Sequence, residues 1–155
     1  MGQFEILRDV RATPEQVWRV VTDWNGFARW MPLTTMRVDD GPSRVGFGFT
    51  GLSGVGRLRF ADSMVVTRWS PPADGTPLGH YRVRKTGWLL VGWAVVEVGP
   101  GAAAGHTRLR WVEDITLRPE PLGRLVAPLV DRGNVLMFGR AVDAMVAEAE
   151  ASVVR

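Results

Sequence analysis

The 155 residues contain no cysteine. That excludes disulfides, thiolate catalysis and cysteine-based zinc sites. Lysine occurs once, as Lys85, against eighteen arginines, and the formal charge is only +3. The arginines are scattered, and no run of like charge exceeds two or three residues. A nucleic-acid binder shows a clustered basic face, so no nucleic-acid partner is expected. Histidine occurs twice, as His80 and His106, both at the starts of predicted strands near loops. No HExxH spacing exists, so no metal site is expected, and no cofactor is implied. No stretch of about twenty apolar residues is present, so no membrane span is expected. The segment Met1–Ile6 lacks the basic and apolar regions of a secretory signal and the serine or threonine of a myristoylation site. A cytoplasmic protein is the expectation.

One nucleotide-binding pattern is present in letters only. Gly46-Phe47-Gly48-Phe49-Thr50-Gly51 spells GxGxxG, but the segment is itself strand-like and is followed by Gly54 and Gly56 instead of a helix. A dinucleotide fingerprint needs a helix N-terminus to meet the pyrophosphate. These glycines read better as points where a sheet bends sharply. Ser53 lies in a glycine-rich loop but not in a GxSxG elbow.

What the chain does have is bulk: seven tryptophans and six methionines. They fit a large core or a pocket adaptable to an apolar ligand. The length suits one domain and is short for two, so residues 1–155 are expected to form a single domain.

Gln3 to Arg11 alternates, with Phe4, Ile6 and Arg8 on one face, and predicts a strand. Thr13-Pro14-Glu15-Gln16 is a helix start: Thr13 as N-cap, Pro14 at the first helical position and Gln16 closing a capping box. Val17, Val21 and Trp24 continue it at helical spacing until Asn25-Gly26. A second short helix is predicted from Phe27 to Met31, stopped by Pro32. From Thr34 to Arg118 the period becomes two. Six strands are predicted, at about 34–40, 44–50, 57–69, 79–88, 91–98 and 106–118, with short turn-like links that imply an antiparallel meander. One link is Gly51 to Gly56, and another is a tight turn near Leu89-Leu90. After Pro119-Glu120-Pro121 the chain is helical, with a break or kink predicted near Pro128. Met137, Phe138, Ala141, Val142, Ala144, Met145, Val146 and Ala149 cover about half of that helix. Arg132, Arg140, Asp143 and Glu150 share the polar strip. The order is α+β: strand, two short helices, six strands, long helix. A seven-stranded sheet curled around that helix would cover its own apolar face and leave a cavity.

The sequence resembles the START-like, Bet v 1-like (SRPBCC) superfamily, whose bacterial members are often called polyketide cyclase/dehydrase or lipid-transport proteins. The resemblance runs over nearly the whole chain. It rests on Ala12-Thr13-Pro14-Glu15-Gln16-Val17-Trp18, on Asp23-Trp24 with Trp30-Met31-Pro32, on Thr107-Arg108-Leu109-Arg110-Trp111, and on the long C-terminal helix. It implies the helix-grip fold, a curved antiparallel sheet closed over that helix, and a small apolar ligand in between. On the strand where aromatase relatives place a cavity arginine, this chain reads Met64-Val65-Val66.

The most informative candidate is Glu113. It shares a face with Leu109, Trp111, Ile115 and Leu117, which must be the inner one, leaving Asp114 outward. A carboxylate in an apolar cavity is costly unless paired or protonated, so Glu113 is a candidate for binding a ligand donor or acting as acid or base. The alternatives are pairing with a nearby arginine, or a bulge that turns it outward. Asn134 falls in the apolar arc of the long helix, and Tyr81 can offer a hydroxyl to the cavity. Phe47, Phe49, Leu58, Phe60, Met64, Trp93 and Met137 are the expected apolar lining, and Trp24, Trp30 and Trp111 complete the ligand-binding candidates.

Three functions are compatible with this reading. One is a carrier or sensor of an apolar small molecule, lipid-like or polyketide-like. Another is an aromatase/cyclase-like enzyme. The third is a protein-interaction module without a ligand. A filled core would favour the third, and a cavity without polar groups would favour the carrier over the enzyme. Monomer and homodimer are both compatible with the sequence.

Overall fold

The computed structural model describes residues 3–73 and 76–154; at 120, 122–131, 134 and 154 it describes the backbone alone. Strand β1 (Gln3–Val10) leads into helices α1 (Pro14–Val21) and α2 (Phe27–Trp30). Six strands follow: β2 (Thr34–Val38), β3 (Gly48–Val55), β4 (Leu58–Ser70), β5 (Gly79–Thr86), β6 (Leu90–Pro100) and β7 (Thr107–Leu117). Helix α3 (Glu120–Ala151) closes the chain, ending in a 3-10 turn at Ser152–Val154. All seven strands form one antiparallel sheet in the order β1-β7-β6-β5-β4-β3-β2. The meander from β2 to β7 is joined by β1 beyond β7, so the first and last strands of the chain lie side by side. This is the helix-grip α+β fold expected from the sequence.

The capping box at Thr13 forms as its residue types require. The Gln16 amide donates to Thr13 Oγ1, and the Thr13 amide donates to Gln16 Oε1 at 2.9 Å. Helix α1 ends at Val21, short of Asn25-Gly26. The Thr22 hydroxyl donates back to the Trp18 carbonyl at 2.7 Å, and Asp23 Oδ1 takes the Gly26 amide, so a turn forms where the sequence suggested helix.

Two other boundaries differ from the sequence reading. Strand β3 begins at Gly48 and runs through Val55, so Gly51 to Val55 is strand and only Gly56-Arg57 turns. Pairing on both sides, with Gly51 between Met36 and Asp62, outweighs the low strand preference of glycine. Gly46 (φ +87°) instead makes the bend before the strand. The GxGxxG letters therefore lie in a turn and a strand that feeds a hairpin, with no helix after them. Helix α3 is continuous through Pro128. One missing N–H removes one bond of the ladder, and the helix proceeds across it.

The core lies between the concave sheet face and the helices. Val96, Val98, Leu109 and Val10 are fully buried there, against Val17 and Val21 of α1 and Val142 and Met145 of α3. On α3, Ala141 and Ala149 are buried, Met137, Phe138 and Val146 are partly buried, and Ala144 is exposed. Ion pairs fix the helix laterally: Arg8 with Asp143, Arg11 with Glu150, and Arg29 with Glu148. All three are solvent-exposed, so they set the position of the helix more than its stability.

Candidate ligand cavity

Beside Met137 and Phe138, near the middle of α3, the helix and the sheet do not fill the space between them. A cavity of about 480 Å³ remains. Its walls are mostly aromatic and aliphatic. Trp24 stacks on Phe49 at 4.4 Å and meets Tyr81 edge-on at 5.2 Å, while Phe27, Trp111 and Phe138 continue the aromatic wall toward the helix. Met36, Met64, Val83, Ile115 and Met137 complete it.

A compact ionic cluster is set into this apolar wall. Lys85 Nζ lies 2.6 Å from Asp62 Oδ2 and 3.1 Å from Glu113 Oε1. Met64 Sδ stands 3.8 Å from the same ammonium. The indole N–H of Trp111 donates to Glu113 Oε2 at 3.1 Å. The Lys85 and Glu113 side chains are 1% and 2% exposed, and Asp62 is 16% exposed. The sheet builds the cluster by register. Lys85 faces Met64 on β4 and Gly92 on β6, and Glu113 faces Ala94 on β6. The intervening strand thus offers only glycine and alanine at these levels, which leaves room for Lys85 and Glu113 to meet across it.

Burial pulls the Lys85 pKa down, but the charges of Glu113 and Asp62 outweigh it and the net shift is upward. Burial raises the Glu113 pKa, and Lys85 with the Trp111 N–H offsets this only in part. Both partners therefore hold their protons more tightly than usual. Burial is the cause at Glu113, and the two neighbouring carboxylates, which share this one cation, are the cause at Lys85. Burial, and then the Glu113 charge, raises Tyr81 well above the ordinary phenol range.

Trp24, Phe49, Met64, Tyr81, Trp111, Glu113 and Met137 all line the cavity, and Phe60 lines it near the surface at 39% exposure. The Tyr81 hydroxyl, however, is turned to the protein and donates to the Val21 carbonyl at 3.1 Å. Four other candidates lie elsewhere. Trp93 has the parity of Arg84 and Asp114, not of Ala94, and stands on the outer face with the Arg82 guanidinium over its ring. Phe47 is buried in the core ahead of β3 but is not on the cavity wall. Trp30 is buried beside α3 and donates to Glu148 Oε2. Leu58 is 87% exposed at the hairpin tip. The side chain of Asn134 lies outside the described residues. His80 is partly buried on β5, and His106 pairs with Asp9; neither lines the cavity.

Sequence reasoning missed Lys85 and Asp62. The signal was available in strand parity. Asp62 lies between Phe60 and Met64, and Lys85 follows Tyr81 and Val83, all four of which line the cavity. The partner of Glu113 is therefore the single lysine, not an arginine. It enters from β5 opposite Met64, beside the strand position where aromatase relatives were expected to carry an arginine.

This arrangement, a gripping sheet and long helix around a cavity, agrees with the family comparison. The family described as polyketide cyclase/dehydrase and lipid transport matches residues 1–150. The chain belongs to this family. Solved structures of similar fold include TTHA0849 from Thermus thermophilus (14% identity, TM-score 0.75, 97% of this chain and 99% of that one). The Zhui aromatase/cyclase from Streptomyces sp. R1128 is similar at 18% identity and TM-score 0.67, over 98% and 95% of the two chains. A START superfamily protein from Mycobacterium smegmatis is similar at 14% identity and TM-score 0.67, over 94% and 97%. At these identities the likeness of this polyketide cyclase/dehydrase and lipid-transport family member to them is one of fold. No curated protein matches the sequence. Among the described residues, no helix is long and apolar enough to cross a membrane.

Proposed function

We propose that this protein binds an apolar small molecule, lipid-like or aromatic, in the cavity between sheet and α3, as a carrier or sensor in the cytoplasm. The observation that carries the reading is the cavity of about 480 Å³ with an apolar wall and one ionic cluster. That composition suits a ligand with an apolar body and one polar end. Membership of a family described by lipid transport supports it. So does the open space itself, because an interaction module without a ligand has no need to keep its core unfilled.

A second reading has its own observation. Glu113 is a buried carboxyl on the wall of the apolar cavity whose pKa burial raises, the kind of group with which an aromatase/cyclase-like step moves protons. Native mass spectrometry of the purified protein, with organic extraction of what is released, tests the binding reading. A co-purifying apolar molecule, bound more weakly by Trp111→Ala, is the expected result. No bound species, and no binding across fatty acids, aromatic polyketides and terpenoids, would overturn it. Turnover of an aromatic polyketide precursor, lost in Glu113→Gln, would move the assignment to the enzyme.

A further inference from the structure

Resting on the cavity-binding reading, we infer that the ligand's polar end is a hydrogen-bond donor, a hydroxyl of the phenol, enol or alcohol class, and that carboxylate ligands are rejected. Two independent features lead there. First, the cluster has no free cation. Lys85 has three N–H bonds, and its ammonium already has Asp62 Oδ2, Glu113 Oε1 and Met64 Sδ around it. With two carboxylates on one ammonium, a further carboxylate would enter a negatively biased, water-poor site and find only like charge. Second, one acceptor is left over. Asp62 Oδ1 is buried and, among the described residues, has no hydrogen-bond partner within the protein. Its other oxygen is held by Lys85, and the residue lies on the cavity wall beside Met64 and Phe60.

A buried carboxylate oxygen without a partner is destabilising, and native proteins leave few of them. A donor carried in by a ligand removes that cost at the moment of binding. Each Glu113 oxygen already has one partner, Lys85 or the Trp111 indole, so relieving the unpartnered Asp62 Oδ1 gains more. The Tyr81 hydroxyl is turned to the protein, where it donates to the Val21 carbonyl. The recognition group is therefore Asp62, and the selectivity rests on surplus negative charge.

Three probes of one size decide the matter: 2-naphthol, 2-methoxynaphthalene and 2-naphthoate, titrated calorimetrically into the full-length protein near pH 7. The expected order is naphthol first, about ten-fold or more tighter than the methoxy compound, with naphthoate weakest. In Asp62→Asn, which removes one negative charge and supplies an N–H donor, the naphthol-to-naphthoate ratio should fall by about ten-fold or more. If methoxynaphthalene or naphthoate binds the wild type as tightly as naphthol, the donor inference is overturned while the cavity reading stands. If none of the three binds and nothing co-purifies, the cavity reading falls and takes the inference with it. The wild-type series decides by itself should Asp62→Asn fail to fold, and a thermal melt checks that variant.

Discussion

The ammonium of Lys85 lies 3.1 Å from Glu113 Oε1, with both side chains all but sealed from solvent. The two residues come from strands separated by β6 and are 28 positions apart in the chain. Their pairing leaves the cation fully used and the second carboxylate, Asp62, only half satisfied.

Removing the cation is therefore expected to be severe. Lys85→Met leaves Asp62 and Glu113 buried without a counter-charge, and a loss of about 3–5 kcal/mol is expected at neutral pH. Acid should relieve it, because protonating Glu113, whose pKa burial already raises, removes part of the uncompensated charge. Urea denaturation of both proteins at pH 5 and pH 8 measures this. Equal losses at the two pH values would contradict the assignment.

Glu113 gives a pH dependence of definite sign. Its folded-state pKa is raised, chiefly by burial. The folded protein therefore binds this proton more tightly than the unfolded chain. The associated stability is present below the unfolded carboxyl value of about 4.3 and is lost as pH rises through the raised folded value. The wild type's stability relative to Glu113→Gln should accordingly decline from about pH 4 upward. An advantage that grew with pH would mean that Lys85 outweighs burial at Glu113.

Tyr81 separates cavity lining from ligand chemistry. Its ring lines the cavity, but its hydroxyl holds the Val21 carbonyl at the end of α1. Tyr81→Phe should cost about 1–2 kcal/mol in stability, since a buried acceptor loses its donor. Affinity for any cavity ligand should change by no more than about two-fold. A large affinity loss at unchanged stability would put the hydroxyl in the binding chemistry after all.

Gly92 tests the register that brings the cluster together. Its φ is +140°, and a Cβ there would lie 1.9 Å from the Asp114 carbonyl oxygen. Gly92→Ala should lower stability by about 2 kcal/mol or more, because the backbone of β6 or β7 must shift. Thermal denaturation reads it directly. A neutral result would show that the strand accommodates a side chain and that the bend is not obligatory.

Local patterns carried most of the architecture. The capping box at Thr13 formed as written because all its partners lie within four residues. The inward parity of Leu109, Trp111, Glu113 and Ile115 held because a strand alternates regardless of its neighbours. Where two signals competed, the pattern read from the letters alone gave way. Glycines of β3 were drawn into the sheet by pairing with β2 and β4, and the end of α1 was moved by the Thr22 hydroxyl.

The sequence by itself determined the element order, the concave face and the presence of a carboxylate on it. Parity and periodicity are properties of a few consecutive residues. It also held the unused clue that its only lysine shares a face with Tyr81 and Val83. Only the tertiary structure decided that Asp62, Lys85 and Glu113 meet, that Trp93 turns outward and that the Tyr81 hydroxyl is tied to α1. Those outcomes depend on the register of β4, β5, β6 and β7 against one another, and on small residues at Gly92 and Ala94 in between. Register is set by the packing of the whole sheet against its helices, not by any one segment of it.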